Sequence, residues 1–134
     1  MIGKMDHIGI AVKNIDNVLA LFNSVLGIKP TLVEKSSELG VKVAFVPIGN
    51  GEIEFIEPLD PADDLSKFME KKGKDMCLHH ICFQVPDVDQ ELQDMQAKGV
   101  KLVSEKSREG YAGKVGFLHP HAVGGLWVEL VEKV

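Results

Sequence analysis

Residues Asp6 to Val12 read DHIGIAV, with Ile8, Ile10 and Val12 alternating against His7, Gly9 and Ala11. That is the period-two pattern of a half-buried strand. Seventy-three residues later, His80 to Val85 reads HICFQV, with Ile81, Phe83 and Val85 against His80, Cys82 and Gln84. An apolar stripe at helical spacing follows the first run: Val18, Leu19, Leu21, Phe22, Val25 and Leu26. Asp16 is its predicted N-cap, Gly27 its C-cap, and Pro30 prevents continuation. Residues 31–37 are ambiguous, a short strand or a turn. Val41 to Ile48 reads as a strand, Gly49-Asn50-Gly51 as a hairpin turn, and Glu52 to Glu57 as the return strand ended by Pro58. The polar stretch 59–77 is a linker, with one short helix around Leu65, Phe68 and Met69.

The second half repeats this order. Asp89 stands 73 residues after Asp16, and Gly99 stands 72 after Gly27. Glu105-Lys106-Ser107 echoes Glu34-Lys35-Ser36, Lys114-Val115-Gly116-Phe117 echoes Lys42-Val43-Ala44-Phe45, and LWVELVE echoes EIEFIE. The period is too long and the copy number too low for a solenoid. The expected fold is α+β: one domain of two tandem βαβββ modules, 1–58 and 78–134, forming an open, cup-shaped mixed sheet. Each module would lay one sheet face on its helix and leave the other free.

Composition narrows the function. The 134 residues are 45% hydrophobic and 26% charged, with net charge -5 and no basic block, which argues against a nucleic-acid partner. No apolar run reaches the ~20 residues of a membrane span, and the N-terminus has no signal-like apolar region. With two cysteines, Cys77 and Cys82, no disulfide scaffold is expected, and a cytoplasmic location fits.

Strand alternation puts His7 and His80 on the face opposite the apolar set. Glu54 and Glu129 fall at equivalent positions of the last strand in each module, flanked by Ile53 and Phe55 or by Val128 and Leu130. Alone, a strand-start histidine is often just hydrogen-bonded, and a strand glutamate is usually solvated. Four in register are another matter, because unpaired charge in a cup is costly. Two imidazoles and two carboxylates suit a first-row divalent ion such as Co, Mn, Zn or Ni, and leave coordination positions open. Repeat register selects His80 over His79.

At these residues the chain resembles the vicinal-oxygen-chelate superfamily, which includes glyoxalase I and extradiol dioxygenases. Within it the chain is most similar to the methylmalonyl-CoA epimerase family. The carrying stretches are DHIGIAV, SELGVKVAFVPIGNGEIEFIEPL, LHHICFQVPDV and GKVGFLHPHAVGGLWVEL. Leu39 and Trp127 depart from the family pattern. The resemblance implies metal ligands at His7, Glu54, His80 and Glu129, and catalytic glutamates at Glu38 and Glu129. It further implies an acyl-CoA substrate and a homodimer. A glyoxalase I-type lactoylglutathione lyase and a metal-free binding protein are the competing expectations.

Overall fold

The computed structural model describes residues 2–111 and 113–133. In chain order the elements are β1 (Met5–Val12), α1 (Ile15–Leu26), β2 (Leu32–Ser36), β3 (Val41–Ile48), β4 (Gly51–Pro58) and α2 (Asp64–Lys72). Then come β5 (Met76–Gln84), α3 (Val88–Ala97), β6 (Arg108–Glu109), β7 (Gly113–Leu118), a 3-10 turn (Pro120–Val123) and β8 (Trp127–Lys133). The fold is α+β with a mixed sheet, as the repeat predicts. The chain forms two compact units: Ile8–His79, and the residues up to His7 together with those from His80 onward.

In the unit Ile8–His79 the strand order is β2-β3-β4-β1. β2 and β3 are antiparallel with Leu32 opposite Phe45, and β3 and β4 are antiparallel with Phe45 opposite Glu54. The ambiguous 31–37 segment is therefore a strand plus the start of a turn. Helix α1 lays Val18, Leu19 and Phe22 of its apolar stripe on this sheet, and Leu21, Val25 and Leu26 stay exposed. Val12, Ile15, Ala44, Val46 and Phe55 form the buried core, with Ile10, Val18, Leu19 and Phe22 packed against it. Gly27 closes α1 in the left-handed conformation, φ 68°, as expected of its position. The N-cap expectation is corrected. Asn14, not Asp16, caps α1, its Oδ1 accepting from the Asn17 N–H at 3.0 Å. Asp16 sits in the first turn and ion-pairs with Lys42 at 3.0 Å. An acid two residues inside the helix still meets the positive end of the helix dipole, and so resembles a cap in sequence.

In the other unit the order is β1-β5-β8-β7-β6, with β5 and β8 parallel and the β8–β7 and β7–β6 pairs antiparallel. Helix α3 covers it through Val88 and Leu92, packed with Val85, Leu118, Val128 and Leu130. Each such side chain, fully buried, contributes roughly 1.5–3 kcal/mol. Asp87 is the N-cap, as Asn14 is in the first copy. The expected echo of β2 shrinks to β6, two residues long, plus an isolated bridge between Leu102 and Leu118. Among the described residues, no helix is long and apolar enough to cross a membrane.

Candidate metal centre

The centre is built inside the unit that contains His7 and His80. β1 places His7 and β5 places His80. β8 runs parallel to β5 with Trp127 beside His80 and Glu129 beside Cys82. The two imidazoles meet edge to face, Nε2 to Nε2 at 3.0 Å. Glu129 Oε1 lies 3.1 Å from His7 Nε2 and 3.5 Å from His80 Nε2. Three donor atoms from three strands thus converge on one point. Both histidines are buried, at 9% and 4% exposure, so the cluster is not a surface coincidence.

Behind His7 stands Asp6, 6% exposed. Its Oδ2 accepts from His7 Nδ1 at 2.7 Å. Its Oδ1 accepts from Gln84 Nε2 at 2.7 Å and from the Lys133 ammonium at 2.7 Å. Burial pushes the Asp6 carboxyl up, but the hydrogen bonds from Lys133, His7 and Gln84 outweigh it and hold the group below its usual range. A carboxylate at Nδ1 keeps that proton in place and leaves Nε2 to present its lone pair. Cys82 Sγ also lies within 4.8 Å of donor atoms on Asp6 and His7. Asp6 is a poor ligand for such a set, since both its oxygens are already committed.

The donor chemistry fits a divalent ion. Two buried imidazole nitrogens and a carboxylate oxygen, within 3.5 Å of one another, form a mixed N/O set. Lys133 offsets the charge of Asp6, and a cation at the point of convergence would offset that of Glu129.

The remaining expected residues lie in the other unit. Glu54 is in β4, 8% exposed, with Phe45 as its cross-strand partner. Glu129 has Phe117 in the same place. Glu38 occupies the exposed turn between β2 and β3, next to Leu39, whose N–H donates to Ser36 Oγ at 3.1 Å. His79, the rival to His80, packs edge-on to the Phe68 ring at 4.9 Å. Sequence reasoning missed Asp6, Gln84 and Lys133. The available signal was an acid directly before a candidate ligand histidine.

A family model described as the glyoxalase/bleomycin resistance protein/dioxygenase superfamily matches residues 6–117. The chain belongs to that superfamily. Within it, mitochondrial methylmalonyl-CoA epimerase of Bos taurus is 34% identical over 130 residues, 96% of this chain and 74% of its own length. The ethylmalonyl-CoA/methylmalonyl-CoA epimerase of Cereibacter sphaeroides is 32% identical over 132 residues, 97% of this chain and 98% of its own. A variant of Streptomyces coelicolor methylmalonyl-CoA epimerase, solved in complex with 2-nitronate-propionyl-CoA, superposes with a TM-score of 0.88 at 30% identity. That alignment covers 98% of this chain and 94% of the other. These superfamily members bear out the resemblance read from the sequence.

Proposed function

We propose that the chain is a divalent-metal-dependent epimerase that inverts C2 of methylmalonyl-CoA by removing and returning its proton. The observation that carries this is the convergence of His7 Nε2, His80 Nε2 and Glu129 Oε1 on one buried point. The named epimerases among its relatives support the choice of substrate. In this reading His7, His80 and Glu129 hold the ion. Glu54 is the fourth ligand, assigned from its equivalence to Glu129 in the repeat. Co, Mn, Zn or Ni suits that set.

A bound divalent ion supplies stabilisation for the negative charge that the substrate's oxygens gain as the C2 proton leaves. The chain's own residues move the proton. One carboxylate of the pair Glu38 and Glu129 accepts it, and the C–H electron pair passes into an enolate. The other, starting as the acid, delivers a proton to the opposite face.

Incubation with methylmalonyl-CoA in D2O and each divalent ion tests the reading. C2 should take up deuterium as the epimers interconvert. Chelation should stop both, and added metal should restore them. Turnover of methylglyoxal with glutathione, without C2 exchange, would replace this reading by a lactoylglutathione lyase. A protein that takes up no ion and shows neither activity would be a binding protein. The reading extends to a cytoplasmic homodimer. Two free cysteines fit a reducing compartment, and the exposed Leu21, Val25 and Leu26 of α1 offer an apolar face. Sedimentation at micromolar concentration checks the dimer.

A further inference from the structure

We propose that Asp6, Gln84 and Lys133 form an orientation clamp that dictates which nitrogen of His7 carries a proton. Asp6 is its positioning residue. The inference rests on the metal reading for its purpose but not for its geometry.

The clamp has a definite polarity. Asp6 is buried and directed by three partners, all of which present a hydrogen. Two of them, the Gln84 amide and the Lys133 ammonium, converge on Oδ1 at 2.7 Å each. The third, His7 Nδ1–H, meets Oδ2 at 2.7 Å. A carboxylate accepts at both oxygens, so all three contacts are satisfied at once. The result is a protonated Nδ1, which leaves Nε2 as the nitrogen able to present a lone pair to an ion. That nitrogen is the one lying 3.0 Å from His80 Nε2 and 3.1 Å from Glu129 Oε1.

An amide in the same place cannot do this. In an Asp6→Asn protein the single carbonyl oxygen would face Gln84 and Lys133, because both of those donate. The NH2 group would then point at His7 Nδ1 and donate to it. Nδ1 would become the acceptor, and the proton would move to Nε2, where a ligand lone pair is needed. The substitution changes one atom, yet it inverts the tautomer. The same logic accounts for the effect of amidating the carboxylate that orients a catalytic histidine in serine proteases.

Gln84 sets the polarity, so it can reverse it. With Gln84→Glu added, the side chain at position 84 becomes an acceptor and also a partner for Lys133. In the double variant the amide introduced at position 6 is then able to turn its NH2 toward position 84 and its oxygen toward His7. Nδ1 should regain its proton.

The test is the histidine 15N spectrum of the metal-free protein, which reports directly on protons at each ring nitrogen. Calorimetric titration with Zn2+ and Co2+ accompanies it. In the wild type His7 Nδ1 should carry a proton. In Asp6→Asn it should be bare, and ion affinity should fall by about 10–100-fold. The Asp6→Asn/Gln84→Glu variant should restore the Nδ1 proton and most of the affinity. A merely structural role for Asp6 would not flip the tautomer and would not be rescued by a change at position 84. An Asp6→Asn protein that keeps the Nδ1 proton overturns the clamp. So does a folded double variant whose Nδ1 stays bare. A wild type with the expected Nδ1 proton but no affinity for either ion supports the clamp while overturning the metal reading.

Discussion

At the start of α1 the Ile15 N–H donates to Glu57 Oε1 at 2.7 Å, and at the start of α3 the Val88 N–H donates to Glu132 Oε1 at 3.0 Å. Each acceptor lies three residues past the paired glutamates Glu54 and Glu129. Asp16 then meets Lys42 at 3.0 Å, and Asp89 meets Lys114 at 3.8 Å. These devices recur because each copy must satisfy the exposed N–H groups of its own helix and bind that helix to its own sheet. The surroundings of the centre do not recur. The place of Asp6 is taken by His79 in the second copy, and the place of Lys133 by Pro58 in the first. The helix seat also differs: Ala44 under α1 becomes Gly116 under α3. The recurring caps and ion pairs thus carry folding, whereas the differences between the copies mark the support given to one histidine or a local packing solution.

The sharpest break of that comparison is at the two adjacent histidines. His80→Ala should cut Zn2+ or Co2+ affinity by more than the roughly 100-fold typical of losing a ligand's supporting partner, and C2 exchange should fall to background. His79→Ala should leave ion binding intact. It should cost the Phe68 ring contact, about 0.5–1.5 kcal/mol in thermal or urea unfolding. Equal loss of affinity in both variants would mean that repeat register does not choose the ligand. Next in size is the pair Glu38 and Glu109, which hold equivalent places after Ser36 and Ser107. Glu38→Ala should slow C2 deuterium uptake by about 100-fold or more, the range of a proton-transferring residue. Glu109→Ala, on the exposed β6, should leave the rate unchanged.

Much of this was legible in the sequence, and the reason is periodicity. Alternation in DHIGIAV and HICFQV marked two strands, and Ile10 and Val12 do pack with α1 as their phase requires. Register between the copies singled out His7, Glu54, His80 and Glu129, of which His7, His80 and Glu129 lie in one unit with donor atoms within 3.5 Å of one another. The β2 echo failed because three matching letters at 105–107 carry no alternation to sustain a strand. The cap was misassigned because Asn14 and Asp16 are both plausible first-turn residues. Asp6, though it directly precedes a candidate ligand, was passed over for a stricter reason. Neighbours on a strand point to opposite faces, so an acid beside a site histidine is expected to face away from it. The hydrogen bond from His7 to Asp6 is a local exception at the strand's start, held by Gln84 and by Lys133 from the far end of the chain.

The helix seats give a smaller, purely structural effect. A methyl group added at Gly116 would come within 2.9 Å of Leu92 Cδ1 and 3.0 Å of Val88 Cγ1. Gly116→Ala should therefore destabilise the protein by about 1–3 kcal/mol, as overpacking does. Ala44→Gly, the reverse exchange in the other copy, removes a buried methyl and should cost about 1 kcal/mol. Urea midpoints at pH 7 read both. A neutral Gly116→Ala would show that Leu92 and Val88 can give way to the added methyl.

The smallest expected effect concerns Asp89, and it has a definite sign. The Ser107 hydrogen bonds, with the backbone N–H at 3.1 Å, hold its carboxyl below the usual value, and burial only partly opposes them. A carboxyl whose folded pKa is depressed binds protons more readily in the unfolded chain. Its contribution is therefore complete above the unfolded pKa of about 3.9 and fades as pH falls through the lower folded value. The Asp89 side chain stays 43% exposed, so solvent screening keeps the effect slight. The difference in urea midpoint between wild type and Asp89→Asn should be small and constant from about pH 7 to 5, then shrink toward about pH 2. A midpoint difference that grows as the pH drops would mean that Asp89 is destabilising when charged, and that the Ser107 bond does not hold the β6 side of the second copy to α3.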